Sequence, residues 1–395
     1  MLTYHTLQAG NRWYLVLTAI FTLVSILGFV AARYMEHEGH YVTGMTNQIV
    51  WGIPHVAAIF LILAASGVLN MASISSVFNV EDYKPLARLS GLLAITLLAG
   101  GLLILVLDLG RPDRLIVAMT TYNFRSIFAW NIFLYIGFAV VVLIYLWVIM
   151  DSRFSKYVKS VGAIAFSWRL ILTTGTGSIF GFLVARDAYD TAIMAPLFIA
   201  HSLAIGTAIF ILIASISCSL NEVRISTDLI RRFGRLLLWF VLAVAYMMTI
   251  HHLTNLYISG HYNVERFILK EGGIYTWLFW GGQVVLGYLV PIMLLVVGKT
   301  LIVPRVLFAS VFTIMGALIQ IYILIVGGQS YPLNIFPGYE VIGGWYASQP
   351  GNYFPTLPEF TLGFGGIAFA LLITIIGLRV LPFLPSQFKR DSTVE

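Results

Sequence analysis

Residues 107–112, Leu107-Asp108-Leu109-Gly110-Arg111-Pro112, decide how the chain must be read. They close a roughly 22-residue apolar run, about the length that crosses ~30 Å of hydrocarbon. A carboxylate and a guanidinium at the end of such a run cost several kcal/mol unless they are paired or used, so Asp108 and Arg111 are candidate site residues. Polar residues continue through Asn123-Phe124-Arg125-Ser126 and into the next apolar run at Ala129-Trp130-Asn131. Two spans thus carry polar residues at facing ends.

Outward from that stretch the pattern repeats. The 395 residues are 59% hydrophobic and only 10% charged, where a soluble domain carries roughly 25% charge. Apolar windows of spanning length fall near 13–33, 49–72, 86–108, 126–150, 160–184, 195–219, 235–259, 274–298, 303–327 and 360–384. The expectation is an all-α polytopic membrane protein of ten transmembrane helices. The run from Trp13 to Ala32 is too long for a signal-peptide core and reads as a retained first span. A net charge of +6 sits in short loops and not in one patch, which excludes nucleic-acid binding. Cys218 is the only cysteine, so the chain alone holds no iron–sulfur cluster, Cys-ligated zinc or internal disulfide, and no metal site is expected.

Lys and Arg set the orientation. Fourteen lie in the loops that share a side with Arg12, Lys84 and Arg153; seven lie on the side of Arg33, Arg111 and Arg186. The positive-inside rule then puts both termini in the cytoplasm of a bacterium or archaeon and Asp108 outside. The connection 328–359 also faces out; it holds Glu340 and Glu359 and no Lys or Arg, and its length suggests function. The organisation expected is a first helix and outer loop (1–48), a four-helix bundle (49–184), a second four-helix bundle (185–327), the outer loop (328–359), and a last helix with a cytoplasmic tail (360–395).

With that orientation His55, His201, His251 and His252 all fall in the outer part of their helices, His55 and His201 each about two turns in. A shift of 146 positions carries His55 to His201, superposes helices 2–5 on helices 6–9, and sends Asp108 to Thr254, beside Asn255. Two parallel-repeat bundles are the natural reading.

The chemistry follows from residue type. His55, Asp108 and Asn131 at one depth would supply an imidazole, a carboxylate and an amide, the groups that bind a quinone's carbonyls and handle its protons. Trp130 would complete an apolar wall, and Arg111 would hold Asp108 ionised. His201, His251, His252 and Asn255 mark a second outer site. His201 with His251 or His252 also meets the depth requirement for a b-type haem, although no inner histidine pair exists for a second one and haem is not expected. Arg169, Thr173 and Thr176 mark a proton path in the fifth helix. Each constellation has a plain structural account beside it: a helix-closing ion pair for Asp108 and Arg111, helix-to-helix hydrogen bonds for the histidines, and interhelical packing for Arg169 and its neighbours. A passive membrane anchor shares every feature except a need for His55 and Asp108. A secondary transporter is disfavoured by the lack of paired midplane carboxylates and broken helices.

Asp108-Leu109-Gly110-Arg111-Pro112, Asn123-Phe124, Ser126, Trp130-Asn131 and the loop from Gln329 to Gly338 resemble the NrfD/PsrC family of quinone-interacting membrane subunits. The ten-helix form is most similar to its DsrP-type members, from the sulfur-metabolising DsrMKJOP complex. The resemblance implies two four-helix bundles, a menaquinone or ubiquinone site near the outer face, and a docked periplasmic ferredoxin-like iron–sulfur subunit. Cytochrome c and cytochrome b subunits, and coupling to proton translocation, are further expectations of such complexes.

Overall fold

The computed structural model describes residues 3–7, 12–298, 301–333, 339, 349–386 and 388. Ten long helices follow from the apolar runs: α1 (Arg12–Glu38), α2 (Ile53–Ser76), α3 (Ala87–Leu107), α4 (Ile127–Met150), α5 (Val158–Gly181), α6 (Met194–Leu220), α7 (Thr227–Tyr257), α8 (Ile274–Val296), α9 (Val303–Ser330) and α10 (Leu357–Val380). Among the described residues nine are long and apolar enough to cross a membrane; α5, which carries Arg169, is 24 residues long and is packed against α2, α4 and α6. The protein is a multi-pass, all-α membrane protein.

Helices α2 to α5 pack on one another around the site-bearing ends of α2 and α3, and α6 to α9 form a second group. The two groups meet along α2, α5 and α6, where α2 crosses α6 backbone to backbone: a methyl on Gly67 would collide with the Ser202 carbonyl, and one on Gly206 with Gly67. Outside them α10 lies on α2 and α3, and α1 lies on α10. On the face of Lys84 and Arg88 the chain ends are joined, because Tyr4–His5 pairs antiparallel with Leu384–Pro385 and the Arg88 guanidinium sits 3.8 Å over the Tyr4 ring. The first and last described stretches of the chain therefore share one face.

Three local differences from the hydropathy windows matter for the site. Pro54 occupies the first turn of α2, which begins at Ile53 and not near 49, so His55 lies in the first turn instead of two turns deep. His201, the eighth residue of α6, is deeper, and the two are not level. Helix α7 starts eight residues early because Arg231 pairs with Asp228 and Arg232 with Asp82, so charged residues that hydropathy reads as loop are held helical. Finally, α8 and α9 widen into π-helical turns at Leu278–Leu289 and Ile323–Gly327.

Candidate functional site

The site is built where α3 stops. Asp108 caps α3 with its N–H on the Ile104 carbonyl at 2.9 Å, and Gly110 turns the chain at φ +68, a conformation that favours glycine. A side chain at Gly110 would in addition press on the His40 ring, 3.1 Å from its Nε2. Opposite, the early start of α2 brings His55 Nδ1 to 2.8 Å from Asp108 Oδ2, with the two side chains 24% and 1% exposed. The two atoms are in close contact but outside hydrogen-bond alignment. His55 Nδ1 and both Asp108 oxygens have no hydrogen-bond partner among the described residues. A buried carboxylate in that condition is destabilising, and an N–H or O–H donor brought to it would be bound strongly.

Around the pair are an aromatic wall and a cavity. Trp51 stacks on His55 with centroids 6.0 Å apart and meets Phe180 edge-on and half-exposed Phe128 at a tilt. A cavity of about 570 Å³ opens beside Asp108, walled by His40, Tyr41, Met45, Thr46 and Asn47 of the segment that precedes α2. That volume is within the range of small-molecule sites, roughly 300–1,000 Å³.

The segment before α2 is held from across the molecule. The Gln329 side chain accepts from the Val50 and Trp51 amides (2.9 and 3.1 Å) and donates to the Trp51 and Ile325 carbonyls (3.0 and 2.8 Å). Arg186 donates to the Gln48 and Gln329 carbonyls at 2.7 and 2.9 Å. Glu359 accepts from the Gly44 amide at 2.8 Å and from the Tyr353 hydroxyl at 2.6 Å, and that hydroxyl accepts from the Ile53 amide at 2.8 Å. Burial, reinforced by Glu359, pushes the Tyr353 phenol well above its ordinary pKa, so it remains a donor. Gln329, Arg186, Tyr353 and Glu359 were not candidates by sequence. Thr356-Leu357-Pro358-Glu359 carries a capping-box spacing that does signal the role of Glu359 at the start of α10. Nothing in the sequence tied it to α2.

Three expected neighbours of the pair are placed otherwise. Arg111 does not hold Asp108: it is exposed and binds Asp113 at 3.1 and 3.3 Å, keeping that carboxyl below its usual range. Charges two residues apart in an exposed turn satisfy one another. The Asn131 amide donates to the Ile127 carbonyl of its own helix at 2.9 Å and to the Gly175 carbonyl at 3.1 Å, so both its donors are used and the second ties α4 to α5. Trp130 is half-exposed, with its indole N–H on the Phe124 carbonyl at 2.9 Å, in a surface group with Phe124 and Phe133. The Arg169 side chain is fully buried and donates to Asn70 Oδ1 at 3.1 Å. Thr173 and Thr176 lie above it on the same face, each donating to a carbonyl one turn earlier, while Thr173 also meets the Ser66 hydroxyl at 2.6 Å.

At the outer end of the second bundle the cluster is tighter. Glu265, 1% exposed, has one carboxylate oxygen on His252 Nδ1 at 2.5 Å and accepts from Asn255 Nδ2 at 3.2 Å with the other. Asn255 also meets His251 Nε2 and His261 Nδ1, each at 3.3 Å. The spaces beside these side chains are about 30 Å³ at His251 and His252 and about 10 Å³ at His201. Neither admits a porphyrin or a quinone ring. Glu265 and His261 escaped the sequence reading because the loop that carries them looks like any polar joint. Among the described residues no cluster of His, Cys, Asp and Glu is arranged to hold a metal, and Cys218 is buried and unpaired.

In comparison with known proteins, residues 41–332 match the family described as polysulphide reductase, NrfD. The sequence is 26% identical over 98% of its length, and 98% of the relative's, to a protein of Archaeoglobus fulgidus named Hdr-like menaquinol oxidoreductase integral membrane subunit. It is 21% identical, over 91% of its own length and 89% of the relative's, to the menaquinone reductase integral membrane subunit of Nitratidesulfovibrio vulgaris. With a polysulfide reductase polypeptide of Wolinella succinogenes the figures are 23%, 63% and 83%.

Proposed function

The chain belongs to the polysulphide reductase NrfD family, and from that premise we propose that it is the quinone-binding membrane subunit of an oxidoreductase complex, with the quinone held at the outer end of the first bundle. The observation that carries this reading is the His55–Asp108 contact at 2.8 Å, with no hydrogen bond to either carboxylate oxygen among the described residues, beside a cavity of about 570 Å³. The names of the relatives support menaquinone or menaquinol as the ligand.

His55 and Asp108 would hold the carbonyl or hydroxyl of a quinone entering the cavity beside Asp108. When bound the quinone supplies a two-electron, two-proton couple. His55 donates to the oxidised ring's carbonyl or accepts from the reduced ring's hydroxyl through the nitrogen not facing Asp108. Asp108 orients the imidazole and stabilises its protonated form at the moment of transfer. Trp51, locked through its backbone to Gln329 and stacked on His55, fixes the imidazole's plane.

Electrons leave or arrive through a partner, because one cysteine cannot hold a cluster. We place an iron–sulfur subunit outside, over the 40–52 segment and the loop from residue 328 to 359, within a cytoplasmic membrane with both termini inside. The excess of basic residues on the Lys84 side supports that orientation. Within the loop, Gln329 and Glu359 bind the segment before α2, while Glu340 lies outside the described residues. Sulfur compounds as the complex's terminal substrates fit the polysulfide reductase relative and the DsrP-like helix count.

The test is quinol-linked turnover of the assembled complex carrying Asp108→Asn or His55→Gln. The expected loss is at least about tenfold, or about 1.4 kcal/mol of barrier. Unchanged turnover in properly assembled complexes makes this subunit a passive anchor.

A further inference from the structure

We infer that His40 is a second ligand-contacting residue of the outer site: its imidazole binds the ring oxygen opposite the one held by His55 and Asp108, and exchanges that oxygen's proton with outer water. The inference rests on the quinone reading and deepens it, since it assigns both oxygens of the ring.

The cavity of about 570 Å³ has two sides. Asp108 forms one, with His55 against it. Residues of the segment before α2 form the other, and its remaining polar side chains are either committed or exposed. The Thr46 hydroxyl accepts from the Gln48 and Ile49 amides at 3.3 and 3.1 Å, while Tyr41 and Asn47 are exposed. His40 differs, because it is half-buried and its imidazole has no hydrogen-bond partner among the described residues. Its backbone is fixed all the same. Gly39, at φ +93, turns the chain out of α1, and the His40 carbonyl accepts from the Thr43 amide at 3.0 Å and from the Thr43 hydroxyl at 2.6 Å. Glu359 then holds the Gly44 amide at 2.8 Å. The imidazole is thus preorganised without being satisfied, the condition in which a polar group binds a ligand at least cost.

His40 also lies at the right span from Asp108. A Cβ on Gly110 would sit 3.1 Å from His40 Nε2, so the imidazole rests on the turn that ends α3. Gly110 is two residues from Asp108, no more than about 7 Å of chain. A flat ring with oxygens at opposite ends, hydrogen-bonded at each, bridges a gap of that order. The region matched to the family begins at residue 41, so His40 is contributed by the turn that follows the first helix, just before that region.

The chemistry balances. When a quinol is oxidised, two O–H bonds break, two C=O bonds form, and two electrons pass to the iron–sulfur partner proposed above. One proton goes to His55. The other goes to His40, which stands on the cavity wall half-buried and hands it to water. Reduction of a quinone runs the same transfers in reverse.

The test is calorimetric titration of the purified, assembled complex, without oxygen, with two probes: a symmetrical dimethyl naphthoquinol and its monomethyl ether. The ether keeps one hydroxyl for His55 and Asp108 and offers His40 an oxygen with no proton to give. His40→Leu is expected to weaken binding of the naphthoquinol about tenfold and of the ether less than about twofold, erasing the preference that the parent shows. Because the turn is held through the His40 carbonyl, which every substitution retains, the variant should melt with the parent. His40→Gln keeps an acceptor but takes no proton, so it should retain the preference while kcat for quinol oxidation falls about tenfold. Equal weakening of both probes in His40→Leu, or weakening of neither, overturns the contact; full kcat in His40→Gln overturns the proton exchange. Asp108→Asn reports separately on the quinone reading. If it binds both probes as the parent does, that reading fails; if it binds them weakly while His40→Leu does not, only the role of His40 fails.

Discussion

The two bundles hold the same kinds of side chain at their outer ends and use them differently. In the first, His55 and Asp108 meet at 2.8 Å, the imidazole is partly exposed, the carboxylate has no hydrogen bond among the described residues, and a cavity of about 570 Å³ adjoins Asp108. In the second, Glu265 is bonded through both oxygens to His252 and Asn255, and the adjoining space is about 30 Å³. A histidine–carboxylate pair in a membrane thus has no single meaning. A carboxylate with unused bonding capacity beside room for a ring marks a ligand site; a carboxylate bonded through both oxygens beside a space too small for a ring does not.

That contrast can be broken at several points. The largest expected effect is on turnover in Asp108→Asn, at least about tenfold, with the same change far smaller in Glu265→Gln. Equal losses in the two variants would erase the distinction. Next is Gln329→Leu, which leaves the Val50 and Trp51 amides without an acceptor, each a cost of about 1–3 kcal/mol. With the Trp51–His55 stack loosened, turnover should fall about threefold and the quinol KM should rise. Loss of thermal stability with unchanged KM would show that Gln329 supports the fold alone.

Smaller still is Asn131→Ala. Its amide bridges α4 to α5, so the expected result is about 1 kcal/mol of lost stability in a thermal or denaturant melt with the quinol KM unchanged. A raised KM with intact stability would return Asn131 to the ligand's carbonyl. Last is Arg111→Gln, which severs only an exposed contact to Asp113 and should leave turnover and assembly as they are. A substantial loss of turnover there would mean that Arg111 reaches Asp108 in the working complex.

Much of this was legible in the residues. Uninterrupted apolar runs are obliged to become helices in hydrocarbon, where backbone groups have no other partner, and all ten appear. Asp108 stood out because a charge ending such a run is rare, and His55 because its helix begins nearby. Registers were harder. Hydropathy cannot see that Pro54 starts α2, which changed the depth assigned to His55, or that Arg231 and Arg232 extend α7 by pairing. Partners were hardest. Asp113 captures Arg111 from two residues away, Gly175 captures Asn131 from another helix, and Gln329 reaches Trp51 across 278 positions. Glu265 reads as a loop carboxylate until the fold turns it inward. The π-helical turns of α8, which lie against α9, are invisible to a hydropathy window.

The most direct measurement is photoaffinity labelling of the assembled complex with an azido-quinone, followed by mapping of the modified residues by mass spectrometry. The account predicts adducts on the segment before α2, in its first turn, or from Asp108 through Phe128, abolished by excess unmodified quinone. Competed adducts confined to residues 248–283 or 320–328 would place the quinone in the second bundle and contradict it.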